Sequence, residues 1–309
     1  MTPDDLGFPQ LERGSVVTVG TFDGVHLGHR DILRRVAERA AAGGVPGLLV
    51  TFRPHPLAVV NPSAAPMLLT PGEEQLDALA DSGPLLVSVL PFSQSLASYS
   101  AEAFVSEILV KRYHVRTLVV GHDHGLGRGR QGDVAKLRTI GDRLGFDVDI
   151  VSPTLDEHGL PISSSSVRTS IAHGDLERAR AALGRPYSFR GAVVTGDGRG
   201  RQLGYPTINI RLPSARKLLP PAGVYAVRAM TRRGSLGGMM NLGPRPTFGD
   251  YELNLEVHLF DTAGDWYGEQ LSIELVRRLR DTVRFSSVDA LIEQLGRDAD
   301  EARFALTQA

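Results

Sequence analysis

Apolar and polar positions along this chain follow two textures. In the first, short aliphatic runs alternate with stretches of helical period. Ser15–Gly20 is such a run, followed by a glycine-rich turn and a helical stretch from about Gly28 to Ala42. Val45–Phe52, Pro84–Pro91, Thr117–Gly121 and the weaker Asp147–Val151 read as further strands, with helical patterns at Glu73–Asp81, Ala101–Arg112 and Val134–Leu144 between them. Strands alternating with helices predict an α/β unit, a doubly wound, Rossmann-like parallel sheet covered on both faces. Such sheets bind ligands at the carboxyl ends of their strands. Gly/His clusters follow the strands ending at Gly20, Thr51 and Gly121.

The second texture begins after Leu183. Gly191–Gly196, Gly223–Met230, Gly237–Gly243, Leu253–Phe260 and Gln270–Val276 are short runs broken by Gly, Pro and Asp turns, with no helix between them. This predicts an antiparallel β-barrel or sandwich. In Ser287–Leu306, apolar Val288, Leu291, Ile292, Leu295 and Ala299 recur at helical spacing, with Ser286 or Ser287 as N-cap. The expected organisation is therefore residues 1–183, a connector at Gly184-Arg185-Pro186, and a second domain over residues 184–309 closed by a C-terminal helix.

Composition narrows the function. The chain has 309 residues, enough for two domains, and a net charge of −1. The first 183 residues carry 17 basic and 21 acidic side chains and the rest 17 and 14. Neither part has the clustered basic surplus of a nucleic-acid or membrane-surface binder. With no cysteine, disulfides, thiolate catalysis and Cys-held metals are excluded. No apolar run approaches about 18 residues, and the acidic start (Asp4, Asp5, Glu12) is unlike a signal peptide, so a cytoplasmic protein is expected. None of the lysines, Lys111, Lys136 and Lys217, follows a glycine, which rules out a P-loop.

Two stretches carry the chemistry. Gly20-Thr-Phe-Asp-Gly-Val-His-Leu-Gly-His29 follows a strand and opens a helix. His26 and His29 share one face there, beside free backbone N–H groups and the positive dipole end, a place suited to a phosphate chain. Gly24 and Gly28 allow close approach. Alternatively, the two histidines cap and pack the turn, or join His55, His122 and His124 around zinc. The second stretch, Gly196-Asp-Gly-Arg-Gly-Arg-Gln-Leu-Gly-Tyr-Pro-Thr-Ile-Asn209, is glycine-rich. It is not a dinucleotide fingerprint, because Thr207–Leu212 reads as a strand and no helix follows.

The first stretch resembles the nucleotidyltransferase signature of bacterial bifunctional riboflavin kinase/FAD synthetases. So do Thr51-Phe-Arg-Pro-His-Pro56, Met67–Pro71, Pro91-Phe92, Ser100–Val105 and Ile162-Ser-Ser-Ser-Ser-Val-Arg168. The second stretch is similar to that family's kinase motif, continued by Asn241–Thr247, Leu255–Asp261 and Tyr267-Gly268. The resemblance runs essentially end to end. It implies an adenylyltransferase domain at 1–183, in which His26, His29, Ser163, Ser164 and Arg168 hold and neutralise ATP phosphates. Gly20, Phe22, Asp23, Gly24 and Gly28 would form the nucleotide turn, and His55, Pro56 and Asp123 would meet the flavin. Ser164 or Ser165 has a second reading, as N-cap of a helix over Val167–Ala172.

For residues 184–309 the resemblance implies a riboflavin kinase. Gly196, Gly198, Gly200 and Arg201 would cover ATP phosphates, Thr207 and Asn209 would hold Mg2+ and phosphate, and Glu256 would be the general base. Asn241, Arg277 and Arg280 would lie near the flavin. Outside the motif, Pro-Thr-x-Asn is a strand entry, Glu256 a solvated strand residue in a barrel mouth, and Arg280 a surface partner of Asp281 or Asp289. One segment departs from the family: His124 and Leu126 stand where its pattern has two phenylalanines. ATP is implied as co-substrate and Mg2+ as cofactor. The implied partners are riboflavin, FMN and FAD, without nucleic acid or membrane, and a homo-oligomer is left open. The rival readings are a kinase whose first domain binds without turnover, a flavin-binding regulator, and a histidine-metal hydrolase.

Overall fold

The computed structural model describes all residues except 1–10, 12, 84, 197, 247–250, 263 and 309. Asp4, Asp5, Glu12, Pro84, Asp197 and Thr247 thus lie outside the described residues. Two compact units form. One comprises the described residues through Met67 together with Gln75–Ser163, the other Leu68–Glu74 with the described residues from Ser164 on.

The first unit is built from β1 (Ser15–Val19), α1 (Leu27–Gly43), β2 (Gly47–Arg53), α2 (Pro56–Val60), most of α3 (Glu73–Ala80), β3 (Leu86–Pro91), α4 (Gln94–Ala97), α5 (Ala101–Phe104), β4 (Val115–Gly121), α6 (Val134–Leu144) and β5 (Asp147–Val151). All sheet pairings are parallel, in the order β3-β2-β1-β4-β5. β1 is buried throughout, as expected of a central parallel strand. Val16 and Val119 pack with Val36 and Ala40 of α1 on one face. Val17, Leu48, Val50 and Leu118 pack with Phe104, Leu109, Leu137 and Ile140 on the other. The strand order reverses between β1 and β4, so the crevice outside their carboxyl ends is the topological switch point.

The helix expected over Ala101–Arg112 is α-helical only to Phe104. Val105–Val110 continues as a π-turn, in which the Lys111 N–H bonds to the Ser106 carbonyl at 3.0 Å and the Tyr113 N–H to that of Ile108 at 3.1 Å. Apolar spacing cannot distinguish the two, because Val105 and Leu109 are buried either way.

The second unit holds α7 (Ser164–Ala172), α8 (Leu176–Leu183), β6 (Tyr187–Val194), the single turn α9 (Arg199–Gln202), β7 (Ile208–Arg211), β8 (Gly223–Thr231), β9 (Gly234–Pro246), β10 (Tyr251–Leu259), β11 (Gln270–Arg280) and α10 (Val288–Thr307). Its six strands close into an antiparallel barrel in the order β10-β7-β6-β11-β8-β9. Phe189, Ile210, Tyr225, Val227, Met240, Leu255, Val257 and Ile273 belong to its core. The compact units divide near Ser163, with Val167 and Ile171 of α7 and Leu176, Ala179 and Leu183 of α8 joining that core. α10 lays Ala299, Ala302 and Ala305 on Ala226, Met239 and Phe260 of the barrel's outside. Its N-cap is Ser287, whose hydroxyl accepts from the Ala290 N–H at 3.2 Å.

Leu68–Glu74 is strapped to this barrel. The Leu68 N–H reaches the Arg216 carbonyl at 2.7 Å, and the Leu68 carbonyl accepts from the Leu218 N–H at 2.8 Å. Lys217, 3% exposed, donates to the Leu69 and Ser188 carbonyls and to Glu74 Oε2 at 2.6, 2.5 and 2.6 Å.

Candidate active sites

The Gly20–His29 turn lies at the switch point. The carboxyl end of β1 leads into backbone that few residues adopt: φ is +46° at Phe22, +86° at Gly24 and +42° at Val25. Positive φ at a β-branched valine is a strained conformation of the kind concentrated at functional turns. Two side chains hold the Thr21 carbonyl, Gln75 Nε2 at 2.5 Å and Thr51 Oγ1 at 3.3 Å. Gln75 carries no motif signal and was not legible in the sequence.

His26 is the N-cap of α1, with its Nδ1 accepting from the His29 N–H at 3.3 Å. The two imidazoles stack with centroids 3.7 Å apart, and Phe22 leans on His29 at 4.7 Å. The capping role and a shared face for the two histidines therefore coexist. A Cβ on Gly28 would come within 3.3 Å of the His26 ring and 3.5 Å of the Ile162 carbonyl, so the chain leading to Ser163 passes beside this turn. That chain is tethered by Thr154, whose hydroxyl bonds to Asp31 of α1. The helix of Ser164 and Arg168 begins at Ser164, earlier than expected. Ser164 and Ser165 are therefore both inside the helix and neither is its cap; Ser164 and Arg168 belong to the second unit.

Beside β1, the end of β4 turns back with the His124 N–H bonded to the Gly121 carbonyl at 3.2 Å. Asp123 Oδ1 lies 3.5 Å from where a Gly121 Cβ would stand. Leu126 is buried in the core with Ala101 and Phe104, and its backbone pairs with Gly132. Leu126 therefore contributes to packing, and of the two departures His124 lies in the turn after the strand. His55 is the N-cap of α2, accepting from the Leu57 N–H at 3.2 Å, and Pro56 opens that helix. Among the described residues no three His, Asp or Glu side chains gather as a metal site, so the proposed zinc cluster does not assemble.

On the barrel, strand register aligns the second motif. Glu256 of β10 is paired with Asn209 of β7 on one side and with Asn241 of β9 on the other. Leu255 and Val257 fill the core, so by alternation Glu256 stands on the outer face with Asn254 and His258, not inside the barrel mouth. Asn254 Nδ2 donates to Glu256 Oε1 at 2.9 Å. The His258 Nδ1 lies 2.8 Å from the Pro206 carbonyl, anchoring the residue before Thr207.

The glycine spacing has a steric cause. A Cβ on Gly196 would fall directly on the Asn209 side-chain amide. One on Gly200 would strike the Tyr205 carbonyl and come within 3.1 Å of Thr207 Oγ1. Gly198 has φ +69° and precedes the turn of α9. Thr207 and Asn209 thus present their side chains to the glycine loop.

Arg277 is exposed on β11. Arg280 is anchored by a helix. Its Nε and Nη2 form a two-pronged pair with Asp298 of α10 at 2.7 and 2.6 Å, and Nη1 donates to the Asp281 carbonyl at 2.9 Å. Asp298 is 1% exposed. Its burial, and not a surface pairing with the Asp281 or Asp289 carboxylate, accounts for this arginine.

An α/β unit with a strained glycine turn at its switch point, joined in one chain to a barrel with a glycine loop beside a carboxylate, is the architecture of a two-domain transferase. The FAD synthetase family matches residues 8–166 and the riboflavin kinase family residues 183–306. Bifunctional riboflavin kinase/FMN adenylyltransferase of Escherichia coli K12 is 39% identical over 96% of this chain and 95% of its own. The Pseudomonas fluorescens protein of that name is 41% identical over 94% and 93%. A solved structure titled macrolide-efflux protein, from Streptococcus pneumoniae, superposes with a TM-score of 0.87 at 33% identity, covering 97% of this chain and 96% of its own. No helix among the described residues is long and apolar enough to cross a membrane. The chain belongs to the bifunctional riboflavin kinase/FMN adenylyltransferase family, and its activities are those two.

Proposed function

We propose that riboflavin is phosphorylated on the outer face of the barrel at Glu256, within residues 184–309, and that FMN is adenylylated at the Gly20–His29 turn, within residues 1–183. The observation that carries the kinase assignment is the cross-strand row Asn209–Glu256–Asn241 beside a loop whose glycines are sterically required. Glu256 takes the proton of riboflavin's ribityl 5′-hydroxyl as that oxygen attacks the γ-phosphorus of ATP. The bond from the γ-phosphorus to the bridging oxygen breaks, and ADP leaves with the electron pair. Gly196, Gly198, Gly200 and Arg201 border the phosphates, and Asn241 and Arg277 border the flavin.

Thr207 Oγ1 and the Asn209 side-chain amide face the glycine loop, and each of the two side chains carries a neutral oxygen. This set suits Mg2+, with phosphate oxygens and water completing its shell. Bound there, the ion supplies charge neutralisation at the transferred phosphate.

At the other site an oxygen of FMN's phosphate attacks the α-phosphorus of ATP. The bond from that phosphorus to the β-bridging oxygen breaks, and pyrophosphate leaves. Such transfers depend on positioning and charge neutralisation more than on a covalent nucleophile. His26, His29 and the N-terminal N–H groups of α1 supply this in our reading, helped by Ser163, Ser164 and Arg168. Gly20, Phe22, Asp23, Gly24 and Gly28 shape the turn, and His55, Pro56 and Asp123 border the flavin. We assign the protein to the cytoplasm, where ATP is at hand for both steps.

Incubation with riboflavin, ATP and Mg2+, followed by chromatography of the flavins, tests both assignments. FMN appears first and is converted to FAD. Gly196→Ala abolishes FMN formation while added FMN still yields FAD. Unimpaired FMN formation by Gly196→Ala overturns the kinase assignment, and FMN accumulating without FAD overturns the adenylyltransferase one.

A further inference from the structure

We propose that Asn254 is a positioning residue for the kinase reaction, holding one carboxylate oxygen of Glu256 so that the other faces the flavin hydroxyl. The inference rests on Glu256 being the base. Asn254 lies outside every motif the sequence displays, and three observations single it out.

First, it stands two residues before Glu256 on β10 and therefore on the same face. Secondly, its cross-strand partner on β9 is Gly243. With no side chain opposite, the Asn254 amide turns along its own strand, where Nδ2 meets Glu256 Oε1 at 2.9 Å. Thirdly, Glu256 is flanked across the sheet by Asn209 and Asn241, which fixes where its side chain leaves the strand but not how its carboxylate is turned. A glutamate terminal torsion is broad and roughly two-fold. An amide donor on one oxygen selects an orientation within that range, as neighbouring hydrogen bonds do for other reacting groups.

The division of labour follows from hydrogen-bond capacity. An ionised carboxylate only accepts, through two oxygens. Oε1 takes the amide proton of Asn254, and Oε2 takes the proton leaving the 5′-hydroxyl as the new oxygen–phosphorus bond forms. Asn254 exchanges no proton and contacts no substrate.

The test is a double-mutant cycle on the full chain, with initial rates of FMN formation as readout. Asn254→Ala lowers kcat about tenfold while KM for riboflavin and for ATP stay within about twofold, the signature of an interaction used in the transition state. Asn254→Gln retains the donor and recovers most of the loss. Glu256→Gln lowers kcat at least about 100-fold, as loss of a general base does, and adding Asn254→Ala to it changes nothing further. Undiminished kcat in Asn254→Ala overturns the proposal. So does a rise in KM alone, which would place Asn254 against substrate, and so does an equal further fall in the Glu256→Gln background. Full turnover in Glu256→Gln overturns the assignment of the base itself, whatever the Asn254 variants do.

Discussion

Lys217 offers a stringent test of how the second unit is held together. Its side chain is 1% exposed and that of Glu74 8%. The ammonium bonds to Glu74 and two backbone carbonyls and lies 4.4 Å from the Tyr187 ring centroid. Lys217→Met keeps most of the volume but strands the Glu74 carboxylate, whose remaining described donor is the Arg190 N–H at 2.9 Å. Breaking a buried pair by removing one partner costs about 3–5 kcal/mol. With a guanidinium slope of about 4 kcal/mol/M, the unfolding midpoint falls by roughly 1 M. Trp266 makes the assay specific, being the sole tryptophan and buried in the core that includes Leu69 and Tyr187. Its fluorescence therefore reports this unit. In Lys217→Met/Glu74→Gln the stranded charge is gone and the Gln oxygen still accepts from Arg190. The residual cost is about 1–3 kcal/mol for the undonated carbonyls, and the midpoint recovers by about half. A single-variant shift below about 0.3 M, or no recovery in the double variant, would refute the reasoning.

Three further outcomes are expected. His26→Asn keeps a good N-cap but removes the imidazole stacked on His29; FAD formation from FMN falls at least about 100-fold with an unchanged thermal midpoint, whereas full activity would make His26 a cap alone. Arg280→Ala strands Asp298 and destabilises the second unit by about 3–5 kcal/mol in the same fluorescence assay; a raised KM for riboflavin without that loss would return Arg280 to the flavin. Burial alone would raise the Asp149 carboxyl, but hydrogen bonds from Arg35 and Arg39 outweigh it and hold it below the usual carboxylate range. The stabilisation is present above the unfolded value of about 3.9 and is lost as pH falls through the lower folded one. Asp149→Asn therefore costs stability at pH 7 and shows a shallower acid decline, with equal acid slopes counting against it.

Much of this was legible in the sequence because local rules sufficed. The β–turn–α entry at Gly20–His29, the parallel-sheet period and the Thr207–Asn209 loop are each encoded within about ten residues by side-chain type and glycine. β6 begins at Tyr187, ahead of the expected Gly191, although Tyr187–Val194 alternates buried with half-buried residues. The adjoining Gly184-Arg185-Pro186 reads as connector and masks the strand's first half. The π-turn after α5 escaped because it buries the same residues as a helix. Lys217 and Glu74 lie 143 positions apart, and no local pattern announces such a pair. The partner of Arg280 was missed for a related reason: Asp298 sits on a helix whose charged positions all look solvated until the helix docks. Leu126 stands at a departure from the family pattern, and its burial beside Ala101 and Phe104 depends on packing that the motif alone does not display.

The alternation along β10 makes the hydrophobic core the jig for the chemistry. Leu255 and Val257 can occupy the interior only in the register that sets Glu256 between Asn209 and Asn241. A one-residue slip would drive the carboxylate inward and expose both apolar neighbours. Since the barrel is closed, β10 has no free edge along which to drift, and misalignment would require opening the ring. Faulty alignment of the base is therefore penalised as misfolding rather than tolerated as slow turnover. Surface loops can diverge widely in such a protein without disturbing the three-residue row, whereas an interior substitution on β10 acts on stability and on reaction geometry through the same atoms.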